Sequence, residues 1–327
     1  MEQPVISVLV SFGCSGGLFA FNAERWLVLK ILLTGASGFV GPYLKRELEA
    51  NGHEVMSTGR GGDEPGDIEC DITSREAVLS VFSSHNPDAV VHLAGISDVR
   101  SAVENFPLVA DVNILGTYNC CYASSVSGVS TFLYVSTGLV HGQLGQDEDK
   151  IGEKSRINIL DPYSGSKFAG EEIVRAFDLA GRIDGYVVRP FNHIGPGQSE
   201  RFVVPSLARR IKNYSGGEFL VGNLSSRRDF TDVRDIVRGY RQLLEKRPNE
   251  KLFVMGSGRS ISVQNVCEYL AEASGKALDI REDTSFIRKN DAKDMVADSG
   301  LASAVFGWSP DYCVGETIKE VYQALVS

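Results

Sequence analysis

The sequence predicts an α/β protein: a doubly wound parallel sheet with helices on both faces, followed by a smaller C-terminal lobe. Three observations carry that expectation. From residue 26 to residue 190, short apolar and partly β-branched runs alternate with segments of helical spacing, the pattern of parallel strands joined by helical crossovers. A glycine-rich turn stands between the first such strand and the first helix. After Pro190 the pattern loosens: glycine, asparagine and arginine rise and the elements shorten.

Taken in order, Trp26-Leu-Val-Leu-Lys-Ile-Leu-Leu33 reads as a buried strand. Helical spacing follows over residues 42–50, opened by Pro42 and ended by Asn51-Gly52. Residues 53–58 give a second strand, 74–84 a helix and 89–93 a third strand. A long helix over 107–126 precedes a strand over 131–135, and the helix opening after Pro162 precedes a strand over 186–190. The second part predicts helices over 204–213, 233–245 and 262–274, with strands over 218–221 and 252–255. No internal repeat or low-complexity linker interrupts the chain.

The N-terminus is different. Residues 4–23 carry no charge, a run long enough to span a membrane. No Lys or Arg precedes it, Glu2 stands in front, no Ala-x-Ala site follows, and its glycines and serines make a poor membrane helix. Residues 1–28 are therefore expected to be an extension upstream of the natural start rather than an anchor.

A chain of 327 residues, 43% apolar and 23% charged, has the composition of a soluble globular protein. Its net charge of −9 argues against nucleic acid as a partner. The six cysteines (14, 70, 120, 121, 267 and 313) form no Cys-x-x-Cys and no metal-like spacing with the histidines. They read as reduced, buried thiols of a cytoplasmic protein, with no metal site.

Thr34-Gly-Ala-Ser-Gly-Phe-Val-Gly41 places Gly35, Gly38 and Gly41 between a strand and a helix. Glycines there let the backbone approach a pyrophosphate, which rests on the helix N-terminus, with Ser37, Phe39 and Val40 beside it. The second strand ends Ser57-Thr58-Gly59-Arg60, with no acid to hold ribose hydroxyls. Arg60 suits a 2′-phosphate, or is a solvated loop charge; NADP is favoured and NAD stays open. Asp71 and Ile72 are placed to meet the adenine, and Leu93-Ala94-Gly95 to allow the dinucleotide close to a third strand end. Finally, Tyr163 and Lys167 stand four residues apart, on one helix face. The ammonium is expected to favour the ionised phenol, lowering its pKa from ~10 toward neutrality.

These motifs stand in order with Asn113-x-x-Gly116-Thr117 and Val135-Ser-Thr137, and from about residue 29 onward the chain resembles the extended short-chain dehydrogenases/reductases, the NAD-dependent epimerase/dehydratase type. The resemblance implies a Rossmann-type dinucleotide-binding domain over 29–190 and a lobe over 191–327 that mainly binds a nucleotide sugar. It assigns the acid/base role to Tyr163. Lys167 would tune that phenol and hold the nicotinamide ribose, Thr137 would hydrogen-bond the reacting oxygen, and Asn113 would support the lysine's proton path. Pro190 joins the cofactor contacts. Two positions depart from the family: Val140-His141-Gly142 replaces Val-Tyr-Gly, with His141 read as a packed loop residue, and Asp161 stands where Asn is common.

For the substrate, the resemblance points to Asn192, Arg228 and Arg288. Arg228 reads as a fork on the sugar nucleotide's diphosphate, or as a surface ion pair with Asp229 or Asp232. Arg288 is followed by Lys-Asn-Asp291 where relatives show Pro-x-Asp. Dehydratases carry an acid pair after the Thr; here Gly138 and Leu139 supply no carboxylate. The resemblance thus implies reduction of the 4-keto group of a GDP-linked 6-deoxy-hexulose. A nucleotide-sugar 4-epimerase with retained NAD is the alternative, and a non-catalytic dinucleotide sensor a third. A homodimer through the helices around 107–126 and 163–178 is implied as well.

Overall fold

The structure is a computed structural model that describes residues 28–61, 67–142, 148–283, 285 and 294–326. The uncharged N-terminal run and Arg288 lie outside the described residues. The first part of the chain runs β1 (Lys30–Thr34), α1 (Gly41–Ala50), β2 (Glu54–Gly59), β3 (Ile68–Glu69), α2 (Arg75–His85), β4 (Ala89–His92), α3 (Val99–Glu104), α4 (Phe106–Ala110), α5 (Gly116–Ser127), β5 (Thr131–Val135), α6 (Pro162–Leu179) and β6 (Asp184–Pro190). The remainder runs β7 (Asn192–Ile194), α7 (Val203–Lys212), β8 (Glu218–Val221), β9 (Arg227–Asp232), α8 (Val233–Lys246), β10 (Leu252–Met255), β11 (Ser260–Ser262), α9 (Val263–Ser274), β12 (Asp279–Glu282), α10 (Gly300–Phe306) and α11 (Val314–Val326).

Seven strands form one parallel sheet in the order β10-β6-β5-β4-β1-β2-β3. Period-two alternation splits each strand between two cores. Ile31 and Leu33 pack with Leu44 and Leu48 of α1 and Ile236, Val237 and Tyr240 of α8. Leu32, Val90 and Phe132 face the other way, onto Phe82 of α2 and Cys120 and Cys121 of α5. With both faces covered the strands are apolar throughout, which is why they were legible as runs. From β1 the chain winds outward to β2 and then returns to β4 on the opposite side. The crevice beyond the carboxyl ends of β1 and β4 is the topological switch point where ligands bind in such sheets.

The chain beyond Pro190 serves both parts. The strand β10 extends the main sheet beside β6, and α8 and α10 cover one face of it. The sheet β11-β9-β7, the pair β12-β8 and helices α7, α9 and α11 enclose a separate core. Trp308, fully buried, donates from Nε1 to the carbonyl of Asp235 (2.8 Å), and Gly307 ends α10 at φ +73°.

One predicted helix is broken. The stretch expected over 107–126 begins with Asn105 capping the short α4, passes through a π-helical turn over Asp111–Leu115, and only then becomes α5. Such a turn re-aims side chains and recurs at functional sites; here it carries Asn113. By contrast, Asp161 at the departure from the family pattern caps α6 through the Ser164 N–H (2.9 Å), so the helix start is conserved chemically. Among the described residues no helix is long and apolar enough to cross a membrane, and no group of three potential metal ligands occurs.

Candidate active site

A cleft of about 560 Å³ opens at the switch point. Its floor is the glycine-rich turn. Gly35 adopts φ +71°, and a Cβ there would stand 2.6 Å from the Ala94 backbone. At Gly41 a Cβ would meet the Ala36 carbonyl oxygen at 1.9 Å. The turn can therefore be built only from glycine at those two positions. No side chain caps the first turn of α1, and Gly41 at its start lines the cleft, so the positive end of the helix dipole lies at the cleft. Ser37, Gly38, Phe39 and Val40 line the same end.

Past the turn, Arg60 and Asp71 line the cleft together, with Ile72 beside them. Asp71 accepts from the Thr73 N–H (2.9 Å) and hydroxyl (2.8 Å). Those bonds, aided by the charge of Arg60 and opposed by burial, hold its carboxyl below the usual range. Leu93, Ala94 and Gly95 form the third wall; a side chain at Gly95 would crowd Asn113 Oδ1 (3.1 Å) and Lys167 Nζ (3.8 Å). A trough of this length, with glycine where backbone must approach, donors at a helix start and a guanidinium at the far end, fits a dinucleotide.

Thr137, Tyr163 and Lys167, expected to form the reacting end, line the same cleft, as do Pro190 and Asn192. Tyr163 is 8% exposed and lines the cleft together with Thr137. The expected lowering of the phenol pKa does not occur. Burial pushes it up to about 12 against the lowering influence of the Thr137 side chain, and the charge of Asp161 adds to the rise. Burial also acts on the lysine, pushing it down to about 7 against the supporting charge of Glu171. A lysine brought close to neutral cannot offset the phenol's desolvation, which is why the simple i, i+4 argument fails. Lys167 Nζ lies 4.3 Å from the ring centre of Tyr134.

This burial carries a stability signature. Below pH 7 folded and unfolded chains both bind the Lys167 proton, whereas between about 7 and ~10.4 the unfolded chain keeps a proton that the folded one has shed. Stability therefore rises with pH across that window. Lys167→Met is expected to raise the melting temperature by several degrees at pH 7 and below and to flatten the rise, as thermal melts from pH 6 to 10 would read directly.

Asn113 stands behind the cleft wall. Its Nδ2 donates to Ser166 Oγ (2.9 Å) and to the Ile96 carbonyl (3.0 Å), while Oδ1 accepts from the Ile96 N–H (2.8 Å). It thereby ties the π turn to α6 in the turn that carries Lys167. Arg228 also stands outside the cleft lining, on β9 two residues before Phe230, which does line it. The two side chains share a strand face. Arg228 donates to Ser226 Oγ (2.9 Å) and the Arg227 carbonyl (2.7 Å). Asp229 accepts instead from Ser257, Gly258 and Ala297, and Asp232 caps α8 and holds Arg234 and Thr317. Three carboxylates of the 227–235 stretch, Asp229, Asp232 and Asp235, are thus structural, the last receiving the Asp311 and Tyr312 N–H groups.

Several neighbours escaped the sequence reading. His193 stacks on Phe39 (6.1 Å, 4°) and Tyr43 donates to the Pro196 carbonyl (2.8 Å), so the start of α1 is pinned to β7 and the loop after it. Gly138 lies flat against Phe191, whose ring a Cβ would strike at 2.6 Å. Arg189 faces Glu171 rather than the cleft. His141 is buried as expected of a packed residue, and desolvation, reinforced by Arg189, pushes its imidazole down to about 4, so it is neutral at pH 7. Of these, only Glu171 had a signal: it continues the Tyr163, Lys167 stripe by another four residues.

Comparison with known proteins agrees with this geometry. The profile of the "NAD dependent epimerase/dehydratase family" matches residues 31–256. GDP-6-deoxy-D-mannose reductase of Pseudomonas aeruginosa is 31% identical over 91% of this chain and 96% of its own. GDP-6-deoxy-D-talose 4-dehydrogenase of Aggregatibacter actinomycetemcomitans is 31% identical over 90% and 97%. Among solved structures, RMD from Pseudomonas aeruginosa complexed with NADPH superposes with a TM-score of 0.80 at 29% identity, covering 90% of this chain and 97% of that one. UDP-glucose 4-epimerase of Thermotoga maritima with UDP-glucose gives 0.82 at 27%, covering 90% and 98%. A Rossmann-type sheet, a glycine-lined dinucleotide trough and a Tyr-Lys-Thr cluster at its reacting end, together with this match, mean that the chain belongs to the NAD-dependent epimerase/dehydratase family and is an enzyme working with a nicotinamide dinucleotide.

Proposed function

We propose that the protein is an oxidoreductase of nucleotide sugars that reduces the 4-keto group of a GDP-linked 6-deoxy-hexulose, using NADPH in preference to NADH. The bound reduced nicotinamide supplies the hydride. Tyr163 gives its proton to the oxygen that becomes the alcohol, and Thr137 donates a hydrogen bond to the same oxygen. A phenol held protonated at neutral pH is the acid such a reduction needs. Gly35, Ser37, Gly38 and Gly41 would hold the dinucleotide phosphates, Arg60 the 2′-phosphate, and Asp71 with Ile72 the adenine end. Asn192 and Arg228 would face the sugar diphosphate, with the nucleotide sugar lying mainly on residues 191–327 and the dinucleotide on 29–190.

One observation carries the choice of reaction. Among the described residues of the cleft lining, Asp71 is the sole carboxylate, and it stands at the Arg60 end. Beside Tyr163 the wall is Thr137, Gly138, Leu139 and Phe191, with no carboxylate to drive elimination of water. The two GDP-deoxysugar relatives support the substrate class. Consumption of NADPH absorbance on adding GDP-4-keto-6-deoxymannose, one equivalent per sugar, is the test; no consumption by freshly purified protein sinks the reading. The likeness to UDP-glucose 4-epimerases favours a second reading, in which NAD stays bound through purification and turnover needs none added.

Arg60→Ala is expected to weaken NADPH roughly tenfold or more, the worth of charge-assisted bonds, and to leave NADH nearly unchanged. Fluorescence titration with both nucleotides measures the ratio. Exposed apolar side chains on α3 to α6 (Val103, Phe106, Leu108, Val126 and Leu179) support a homodimer through this face, to be weighed by light scattering. Buried free thiols at Cys70, Cys120, Cys121 and Cys267 support a cytoplasmic setting.

A further inference from the structure

Behind the reacting end lies a buried polar cluster that no role assigned above uses. Glu171 and Arg189 form an ion pair, Nε to Oε1 at 3.0 Å and Nη2 to Oε2 at 2.6 Å, with both residues buried. The Ser136 hydroxyl donates to Glu171 Oε1. Arg189 Nη1 lies 3.2 Å from His141 Nε2. A guanidinium only donates, so Nε2 carries the lone pair and the proton sits on Nδ1, which donates to the Arg156 carbonyl (3.1 Å). One tautomer satisfies both contacts.

Ser136 immediately precedes Thr137, and His141 closes the 3₁₀ turn Gly138–His141 that follows it. One ion pair thus grips both ends of the short segment that carries Thr137. The acid of the pair stands one turn beyond Lys167 on α6, and the base adjoins Pro190 in the cleft wall. Buried charges must be paired and hydrogen-bonded to be tolerated, and the partners spent on this pair belong to segment 136–141.

We propose that Ser136 and His141 are positioning residues for Thr137: through the Glu171–Arg189 pair they hold its hydroxyl in the cleft that Tyr163 also lines, at the reacting oxygen. This rests on the proposed role of Thr137, and the test separates the two. Removing Glu171 or Arg189 would strand a buried charge and unfold the region, so the variants are Ser136→Ala, His141→Phe and His141→Gln. The amide oxygen of Gln reaches where Nε2 stood and can accept from Arg189; Phe cannot.

The first readout needs no substrate. With tyrosine labelled at the ring carbon bearing oxygen, the Tyr163 resonance is assigned through Tyr163→Phe, and Thr137→Val gives its position without the threonine hydroxyl. In His141→Phe and Ser136→Ala the resonance is expected to move toward the Thr137→Val position, and in His141→Gln to remain at that of the native protein. In turnover, His141→Phe should lower kcat about 10- to 100-fold, the cost of misplacing a reacting group by about 1 Å, with NADPH affinity and KM within about twofold. His141→Gln should recover most of that loss. A resonance that stays at its native position in both Ser136→Ala and His141→Phe overturns the proposal. So does a loss of kcat matched by lost NADPH affinity and not rescued by Gln, the mark of general destabilisation. Should the native protein turn over no keto-sugar, the functional reading fails while the resonance still decides the clamp.

Discussion

Tyr163→Phe is expected to lower kcat by about 10²–10⁴-fold, the worth of a positioned general acid, while NADPH binding stays within about twofold. In the proposed reaction the hydroxyl meets the reacting oxygen, and the phenyl ring alone already fills its place against Ala102 and Val109. Removing the oxygen leaves no sizeable cavity, and the Thr137 hydroxyl keeps the Leu139 N–H (3.2 Å). Folding should be untouched, so stopped-flow NADPH consumption separates chemistry from binding. A variant that keeps more than about a tenth of native kcat would show that another group delivers the proton. Because the phenol is held up near 12, the acid does not ionise away across neutral pH. An ionisation near 7 in the profile of kcat/KM would belong to Lys167 and should vanish in Lys167→Met.

Gly41→Ala is expected to abolish useful cofactor binding, with the dissociation constant for NADPH rising by about 10- to 100-fold or more. A methyl group there would sit 1.9 Å from the Ala36 carbonyl oxygen and 2.7 Å from its Cα, backbone atoms that cannot rotate aside. Relieving such an overlap costs typically ~1–3 kcal/mol in shifted backbone, and here the shift falls on the turn proposed to cradle the phosphates. Gly38→Ala is the milder change for the protein itself: its Cβ would meet only the Gly35 carbonyl, at 3.2 Å. Equilibrium fluorescence titration measures the loss in Gly41→Ala, and thermal melts should rank Gly38→Ala well above it. Equal melting temperatures would mean that the turn is looser than its contacts require.

Much of this protein was legible before any coordinates. Strands buried on both faces must be apolar throughout, so β1, β4, β5 and β6 announced themselves as runs, and the crossover helices between them as 3.6-residue periodicity. Gly35, Gly41, Tyr163 and Lys167 could be picked out because their chemistry depends on neighbours close in sequence: a turn between strand and helix, or two positions one helical turn apart. The register that seats β10 beside β6, the π turn that aims Asn113, and the commitment of Asp229 and Asp235 to backbone N–H groups and of Asp232 to the Thr317 hydroxyl depend on contacts remote in sequence.

The pKa values make the same point most sharply. The spacing of Tyr163 and Lys167 predicts a charge beside a phenol, but the shift each undergoes is set by how much water the surrounding elements remove, which no local pattern contains. Likewise, Ser136, His141, Glu171 and Arg189 meet from two strand ends, a 3₁₀ turn and a helix. The sequence by itself determined the sheet, the dinucleotide trough and the Tyr-Lys pair, because these follow from periodicity and adjacency. Only the tertiary structure decided the protonation of that pair and the ion pair gripping the Thr137 segment, because desolvation and long-range pairing exist only once the chain has packed.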